Sequence, residues 1–119
     1  MVTKSEKIAA KILANEPLTV RSLAQEWLRS APRFADEPAP STNDPIVRTV
    51  AAAVVELLAV RANQQAPEWT VRVDGLAEPV YLVDAANRSA KMRARVERES
   101  PEPLRKRNVF APPGYLEML

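Results

Sequence analysis

The sequence contains no cysteine and no histidine among its 119 residues. Without cysteine, the chain can form no disulfide and offers no thiolate ligand to a metal ion. Without histidine, it lacks the usual general base of serine and cysteine hydrolases and a common ligand of zinc and iron sites. These two absences exclude the Ser-His-Asp and Cys-His classes of enzyme, and they predict no metal site.

Glycine is also scarce, since two glycines stand against eleven prolines. Sheet-rich folds use glycine in their hairpin turns, so this balance favours helices joined by proline-containing connections. Neither glycine belongs to a phosphate-binding loop, which argues against a nucleotide-binding site. We therefore predict that the protein is not an enzyme and uses no cofactor.

No stretch reaches the roughly 18 consecutive apolar residues that a membrane helix needs. The N-terminal residues MVTKSEKIAAKIL carry too many charges for a secretory signal peptide. Hydrophobic residues make up 46% of the chain and charged residues 27%, which is the balance of a globular protein with a single core. We expect one domain over residues 1–119, a cytoplasmic location and no membrane contact.

The first 31 residues predict a helical hairpin. Residues Thr3 to Glu6 fit a capping box, and apolar residues then recur at helical spacing up to Leu13. A second helix is expected to begin with Thr19 as its N-cap and to end before Pro32. Residues 32–44 contain clustered prolines without apolar periodicity, which predicts a loop with Phe34 pinned to the core.

A central buried helix is predicted after this loop. Asp44 is a favourable N-cap, and Pro45 suits the first helical position. Between Thr49 and Val60 only Glu56 is charged, so the helix must be covered by other elements or by a second copy of the chain. A homo-oligomer is therefore one of the possibilities.

A short β or extended excursion is predicted for residues 67–85. Apolar residues alternate with polar ones around Val71, Asp74-Gly75 is a turn signal, and Val80 begins a second β-prone run. A hairpin is one arrangement, although Pro79 argues for an edge strand or irregular chain.

Residues 88–99 predict a polar helix ended by Pro101. A turn from Pro103 and one short helical turn over residues 113–119 are expected to follow. The predicted fold class is mainly α: a small helical domain with a central buried helix and a short β or extended excursion.

Positive charge is concentrated near the C-terminus. Residues 88–107 hold eight basic and three acidic residues, a net charge of +5, while the rest of the chain holds nine basic and twelve acidic residues, a net charge of −3. On a helical wheel, Arg88, Lys91, Arg95 and Arg98 fall in one stripe. Such a stripe is a solvated surface, a docking face for an acidic protein or a contact for nucleic acid. No aromatic residue lies within this stretch, so nucleic-acid bases would find no side chain on which to stack.

A small DNA-binding regulator is the alternative function. Residues 18–24 are typical of the first helix of a helix-turn-helix unit. The next predicted helix, from Ile46, is too apolar to lie in a major groove, so two core-packing helices are the favoured interpretation.

The last third of the chain resembles a known kind of protein. Its residues EPVYLVDA, an arginine-rich helix and then ESPEPLRKRNVFAP are similar to the C-terminal region of small bacterial proteins encoded beside nucleotidyltransferase-like genes. Those proteins are commonly interpreted as antitoxins of toxin–antitoxin pairs. The resemblance covers residues 78–119 and implies a non-catalytic protein-binding module that neutralises a nucleotidyltransferase-like toxin by direct contact.

The candidate partner-binding residues come from the basic helix and the tail. Arginine binds carboxylates in a two-pronged geometry, so it suits the carboxylate cluster that holds the metal ions of a nucleotidyltransferase. Arg107 is expected to bind a partner's carboxylate and Phe110 to act as an apolar anchor, the alternative being that Phe110 packs on the central helix. Deletion of residues 100–119 is expected to leave a folded protein that no longer binds. The full set is Arg95, Arg98, Arg105, Lys106, Arg107, Asn108 and Phe110, with no catalytic residue and no metal ligand.

Overall fold

Helices carry most of the fold in the computed structural model, which describes residues 2–117. In chain order the elements are α1 (Lys4–Leu13), α2 (Pro17–Arg29), α3 (Pro45–Arg61), β1 (Val80–Tyr81), α4 (Asp84–Arg88), α5 (Ala90–Glu99), α6 (Glu102–Arg105) and β2 (Val109–Phe110). This confirms the predicted fold class, a small and mainly helical domain with a short strand excursion. None of the helices in the described part of the chain combines the length and the apolarity that crossing a bilayer demands.

The starts of α1 and α2 agree only in part with the predicted caps. The Thr3 hydroxyl accepts a hydrogen bond from the Glu6 amide at 3.1 Å, as a capping box requires. The Glu6 carboxylate does not return to the N-cap, because it accepts hydrogen bonds from the amide and hydroxyl of Ser41 at 2.8 and 3.0 Å. Thr19 as an N-cap was wrong, since the N-cap position is Glu16, three residues earlier, and α2 begins at Pro17, whose fixed φ suits a first helical turn.

Asparagine takes the place of glycine after two of the long helices. Asn15 (φ 57°) and Asn63 (φ 61°) adopt the left-handed conformation after α1 and α3. After α1, the Glu16 amide donates to the Lys11 carbonyl at 3.1 Å and the Asn15 amide donates to the Ile12 carbonyl at 3.0 Å, which is a Schellman motif. Asparagine tolerates this conformation better than most residues, so a chain with few glycines still ends its helices sharply.

Helix α3 lies at the centre of the core. Asp44 caps it and Pro45 is its first residue, as predicted, and ten of its residues are buried. Helices α1 and α6 pack against it, together with two short 3-10 helices. Phe34 begins the first of these, Phe34–Asp36, and packs edge-on against Trp27, with 5.2 Å between ring centroids, which confirms that the loop is pinned to the core. Elements of the same chain therefore cover α3.

The predicted strand around Val71 was wrong, because Glu68–Arg72 is the second 3-10 helix. Val71 is 83% exposed while Thr70 is buried, which is the reverse of an apolar strand face packed on the core. The Thr70 hydroxyl donates to the Pro67 carbonyl at 2.7 Å, and the Trp69 indole N–H donates to the Glu37 carbonyl at 2.8 Å. These bonds stabilise a compact turn in place of an extended chain.

No hairpin forms in residues 67–85. Strand β1 pairs in parallel with β2 at the other end of the C-terminal half, with Val80 opposite Val109 and Tyr81 opposite Phe110. Parallel strands need a crossover connection, and here α4, α5 and α6 supply it.

The predicted helix over residues 88–99 is divided at Ser89, whose backbone is extended (φ −134°, ψ 120°). The Ser89 hydroxyl accepts a hydrogen bond from the Met92 amide at 3.2 Å, so it caps α5 and separates it from α4. After α6 and β2, residues 113–117 form turns. The predicted helical turn extends to residues 118 and 119, which lie outside the described residues.

Leu58 tests the placement of the core. It is 3% exposed on α3, so Leu58→Ala is expected to lower the free energy of unfolding by about 2–5 kcal/mol through lost burial and a residual cavity. Val60→Ala is the matched control on the same helix, because Val60 is 58% exposed and its loss should change stability by no more than roughly 0.5 kcal/mol. Urea denaturation measures both, and a Leu58→Ala variant as stable as the parent would contradict this core.

Candidate partner-binding surface

The structure separates the predicted partner-binding residues into an interior group and a surface group. Arg107 and Phe110 are buried and Asn108 is half-buried. The exposed members are Arg95, Arg98, Arg105 and Lys106. The tail from Arg105 to Phe110 is therefore not a single docking segment.

Arg107 links the tail to the interior of the protein. Its Nη1 donates to the Pro103 carbonyl at 2.8 Å and its Nη2 donates to the Thr70 carbonyl at 3.0 Å. Nη2 also lies 2.8 Å from Oε1 of Glu56, and only 4% of the Arg107 side chain is exposed. The expectation that Arg107 binds a partner's carboxylate is corrected by this geometry, because its carboxylate is Glu56 of the same chain.

Glu56 binds a second cation at its other oxygen. Oε2 lies 2.7 Å from the Nζ of Lys106. Burial raises the pKa of Glu56, but hydrogen bonds from Lys106 and Arg107 outweigh burial, and the pKa lies below its ordinary value of 4.5. Glu56 is thus ionised at neutral pH, and Lys106, although exposed, is already paired within the chain.

Asn108 stabilises a close approach between two backbone segments. It adopts a left-handed conformation (φ 63°), and its Nδ2 donates to the Leu76 carbonyl at 3.0 Å. The Leu76 amide in turn donates to the Arg107 carbonyl at 3.0 Å. A Cβ atom at Gly75 would lie 3.1 Å from the Cα of Arg107, so a larger residue would push these segments apart. Asn108 therefore stabilises the fold next to Arg107.

Phe110 packs against α5 and attaches this helix to the rest of the protein. It packs with Ala86 of α4 and Val96 of α5 in a second small apolar cluster, and its ring centroid lies 5.7 Å from that of Tyr81. Both predictions for Phe110 are corrected: it is 8% exposed within its own chain, so it is not an anchor offered to a partner, and it does not belong to the cluster around the central helix. Its burial under α4 and α5 turns the opposite side of α5 towards solvent.

The cations on that opposite side form what we name the basic face: Lys91, Arg95, Arg98 and Arg105. The first three follow one another at spacings of four and three residues on α5, so they share one side of the helix. Arg105 belongs to α6, and its Nη1 donates to the Arg98 carbonyl at 3.4 Å, which places it at the C-terminal end of α5. Arg88 of the predicted stripe lies on α4, where it pairs with Asp84 at 3.0 Å.

The ion pairs of the basic face are weak and local. Glu99 lies 3.2 Å from Arg95 and 3.7 Å from Arg98, and these exposed pairs stabilise the protein by only about 0–1 kcal/mol each. Lys91 and Arg105 form no ion pair with any carboxylate of residues 2–117. All four cations can therefore bind an external carboxylate without breaking an interaction of the core.

Within residues 2–117, no three carboxylates lie close enough together to hold a metal ion. No protein-family model, curated protein or solved structure matches the chain significantly. The basic face is therefore the surface from which a function is inferred.

Glu56→Gln is expected to lower the free energy of unfolding by about 3–5 kcal/mol at pH 7, because it leaves the buried Arg107 without a counter-charge. The folded pKa of Glu56 is depressed, so its contribution is complete above the unfolded pKa, whose ordinary value is 4.5, and is lost as the pH falls through the folded pKa. Between about pH 5 and pH 3, the stability of the variant should decline less than that of the parent. Glu16→Gln, which removes an exposed pair with Lys11, is the control. Urea denaturation across this range measures the effect, and parental stability of Glu56→Gln at pH 7 would contradict it.

Deletion of residues 100–119 is now expected to unfold the protein, which reverses the expectation from the sequence. The deletion removes Leu104, Val109 and Ala111, which are fully buried, and it leaves Glu56 without Arg107. Deletion of residues 112–119 is the matched control, because it retains all of these contacts and should preserve cooperative unfolding. Circular dichroism during heating distinguishes the two, and a cooperative transition at the parental temperature in the longer deletion would refute this assignment.

Proposed function

We propose that the chain is a non-catalytic protein-binding module that neutralises a partner protein by direct contact, as an antitoxin does. The observation that supports this proposal is the basic face, in which four cations lie on one side of α5 and at the start of the tail. Neutralisation by contact requires none of the residues that the sequence lacks. The resemblance of residues 78–119 to antitoxins encoded beside nucleotidyltransferase-like genes supports a toxin of that kind as the partner.

An acidic protein surface suits the chemistry of the basic face. Arginine presents a planar fork of N–H donors that matches a carboxylate, and such charge-assisted hydrogen bonds are stronger than neutral ones. Phe110 packs with Val96 of α5 and so fixes the orientation of that helix. The cations of the basic face are therefore held on an ordered helix in the unbound protein. A preorganised surface loses less conformational entropy on binding than a flexible tail does.

Duplex DNA fits the same surface less well, although a DNA-binding regulator is the competing function. Helix α5 carries four basic and two acidic residues, and one of the latter, Glu99, lies beside Arg95 and Arg98. The phosphates of a duplex form a continuous negative array, so some would lie near Glu99. A protein can place separate carboxylates against the arginines and leave space around Glu99.

Co-purification with the product of the neighbouring gene tests this proposal. Replacement of all four residues of the basic face by alanine is expected to weaken the complex at least a hundredfold and to abolish neutralisation of growth arrest. The matched control replaces four exposed cations elsewhere, Lys4, Lys7, Arg29 and Arg33, and it changes the net charge equally. Circular dichroism establishes that both variants remain folded.

Two kinds of result would overturn this function. The first is an unchanged affinity after replacement of the basic face, or the absence of any complex with the neighbouring protein. The second is tight binding of duplex DNA at about 50 mM salt that falls steeply with salt and requires the basic face, which is the behaviour of a DNA-binding regulator.

A further inference from the structure

A groove on the protein lies between α1, α2, the end of β1 and the C-terminal turns. Its cavity volume is about 570 Å³, which is within the range of small-molecule sites. Its lining is largely apolar and includes Ile12, Val20, Leu82, Pro112 and Leu116. None of the residues of the basic face lines this groove.

The charged groups that line the groove leave one cation without a counter-charge. Glu16 is paired with Lys11 at 3.4 Å, and Asp84 is paired with Arg88 at 3.0 Å. Arg21 also lines the groove, and it forms no ion pair with any carboxylate in the described part of the chain. Lys11 and Arg88 do not line the groove, but they compensate the charges of Glu16 and Asp84. The charge that remains is that of Arg21, which complements an anion.

Two helix ends lie at the groove, the end of α1 and the start of α2, and they also differ in their charge. The Schellman motif after α1 satisfies carbonyls of its last turn. In contrast, Glu16 supplies no side-chain cap to α2, and the amides of Leu18 and Thr19 find no acceptor within residues 2–117. The start of α2 therefore carries the positive end of a helix dipole, which stabilises a nearby negative charge.

Tyr115 adds a polar group to the lining of the groove. Burial raises the pKa of Tyr115 to about 12, so its hydroxyl stays protonated and able to donate at neutral pH. The hydroxyl forms no hydrogen bond with another side chain or carbonyl among residues 2–117, although the ring lies against the core. A ligand oxygen in the groove can accept this hydrogen bond.

We propose that this groove binds a small amphipathic carboxylic acid. The aliphatic part of the ligand packs on Ile12, Val20 and Leu82, and its carboxylate lies beside Arg21 at the start of α2. This site is separate from the basic face, so it does not depend on the proposed neutralisation of a partner.

Calorimetry with decanoate, below its critical micelle concentration, tests the site on the full chain. Decanol and decylamine have the same chain length without the negative charge, and each is expected to bind at least tenfold more weakly than decanoate. Arg21→Ala should weaken decanoate binding at least tenfold, and Arg21→Lys should retain part of the affinity. Arg29→Ala is the matched control, because it removes an exposed arginine of the same helix away from the groove.

Amide chemical shifts of the labelled protein locate the ligand. Decanoate is expected to shift the resonances of Ile12, Val20 and Leu82, and replacement of the basic face by alanine should leave its affinity unchanged. The proposal is overturned if decanoate does not bind, if decanol binds equally well, if Arg21→Ala binds as the parent does, or if the shifts lie elsewhere. None of these results affects the test of partner binding, so either proposal can be refuted without refuting the other.

Discussion

The ion pair between Glu56 and Arg107 is the constraint on which the C-terminal half depends. Helix α3 fills the core, and a carboxylate in its apolar stretch is tolerated only if a cation is brought to it. Arg107 meets that requirement, and the same guanidinium binds the carbonyls of Pro103 and Thr70. One side chain therefore fixes three segments against α3: the second 3-10 helix, helix α6 and the tail that continues into β2.

This constraint explains why the basic C-terminal region divides into two parts. The cations nearest the pair, Lys106 and Arg107, stabilise the fold and are satisfied within the chain. Phe110, two residues after Asn108, belongs to the second apolar cluster and packs against α5. Lys91, Arg95 and Arg98 of α5 then lie on the side away from Phe110, whereas Arg93 donates to the Ala86 carbonyl at 3.2 Å. The exposed charge is a consequence of how the interior is assembled.

Local signals in the sequence predicted the helices well and long-range partners poorly. Asp44-Pro45 and the apolar run after it determine the start and burial of α3 through neighbouring residues alone. The pairing of β1 with β2 joins distant segments, so no local alternation could reveal it. Arg107 was misinterpreted because charge was taken to indicate exposure, although the lone Glu56 of an apolar helix was itself a signal that a buried cation must exist. The groove draws its lining from four separate segments and leaves no pattern in the sequence.

The parallel pairing of β1 with β2 also has a consequence for the order in which the protein folds during synthesis. The strand that precedes α4 and α5 has no partner until the strand that follows them has left the ribosome, and the ring of Phe110 arrives with that second strand. Until then α5 is a short helix without an apolar support, and helices of that length are marginal on their own. A nascent chain that stops before β2 should therefore carry its arginines on a disordered segment, so the ordered basic face requires that β2 has been synthesised.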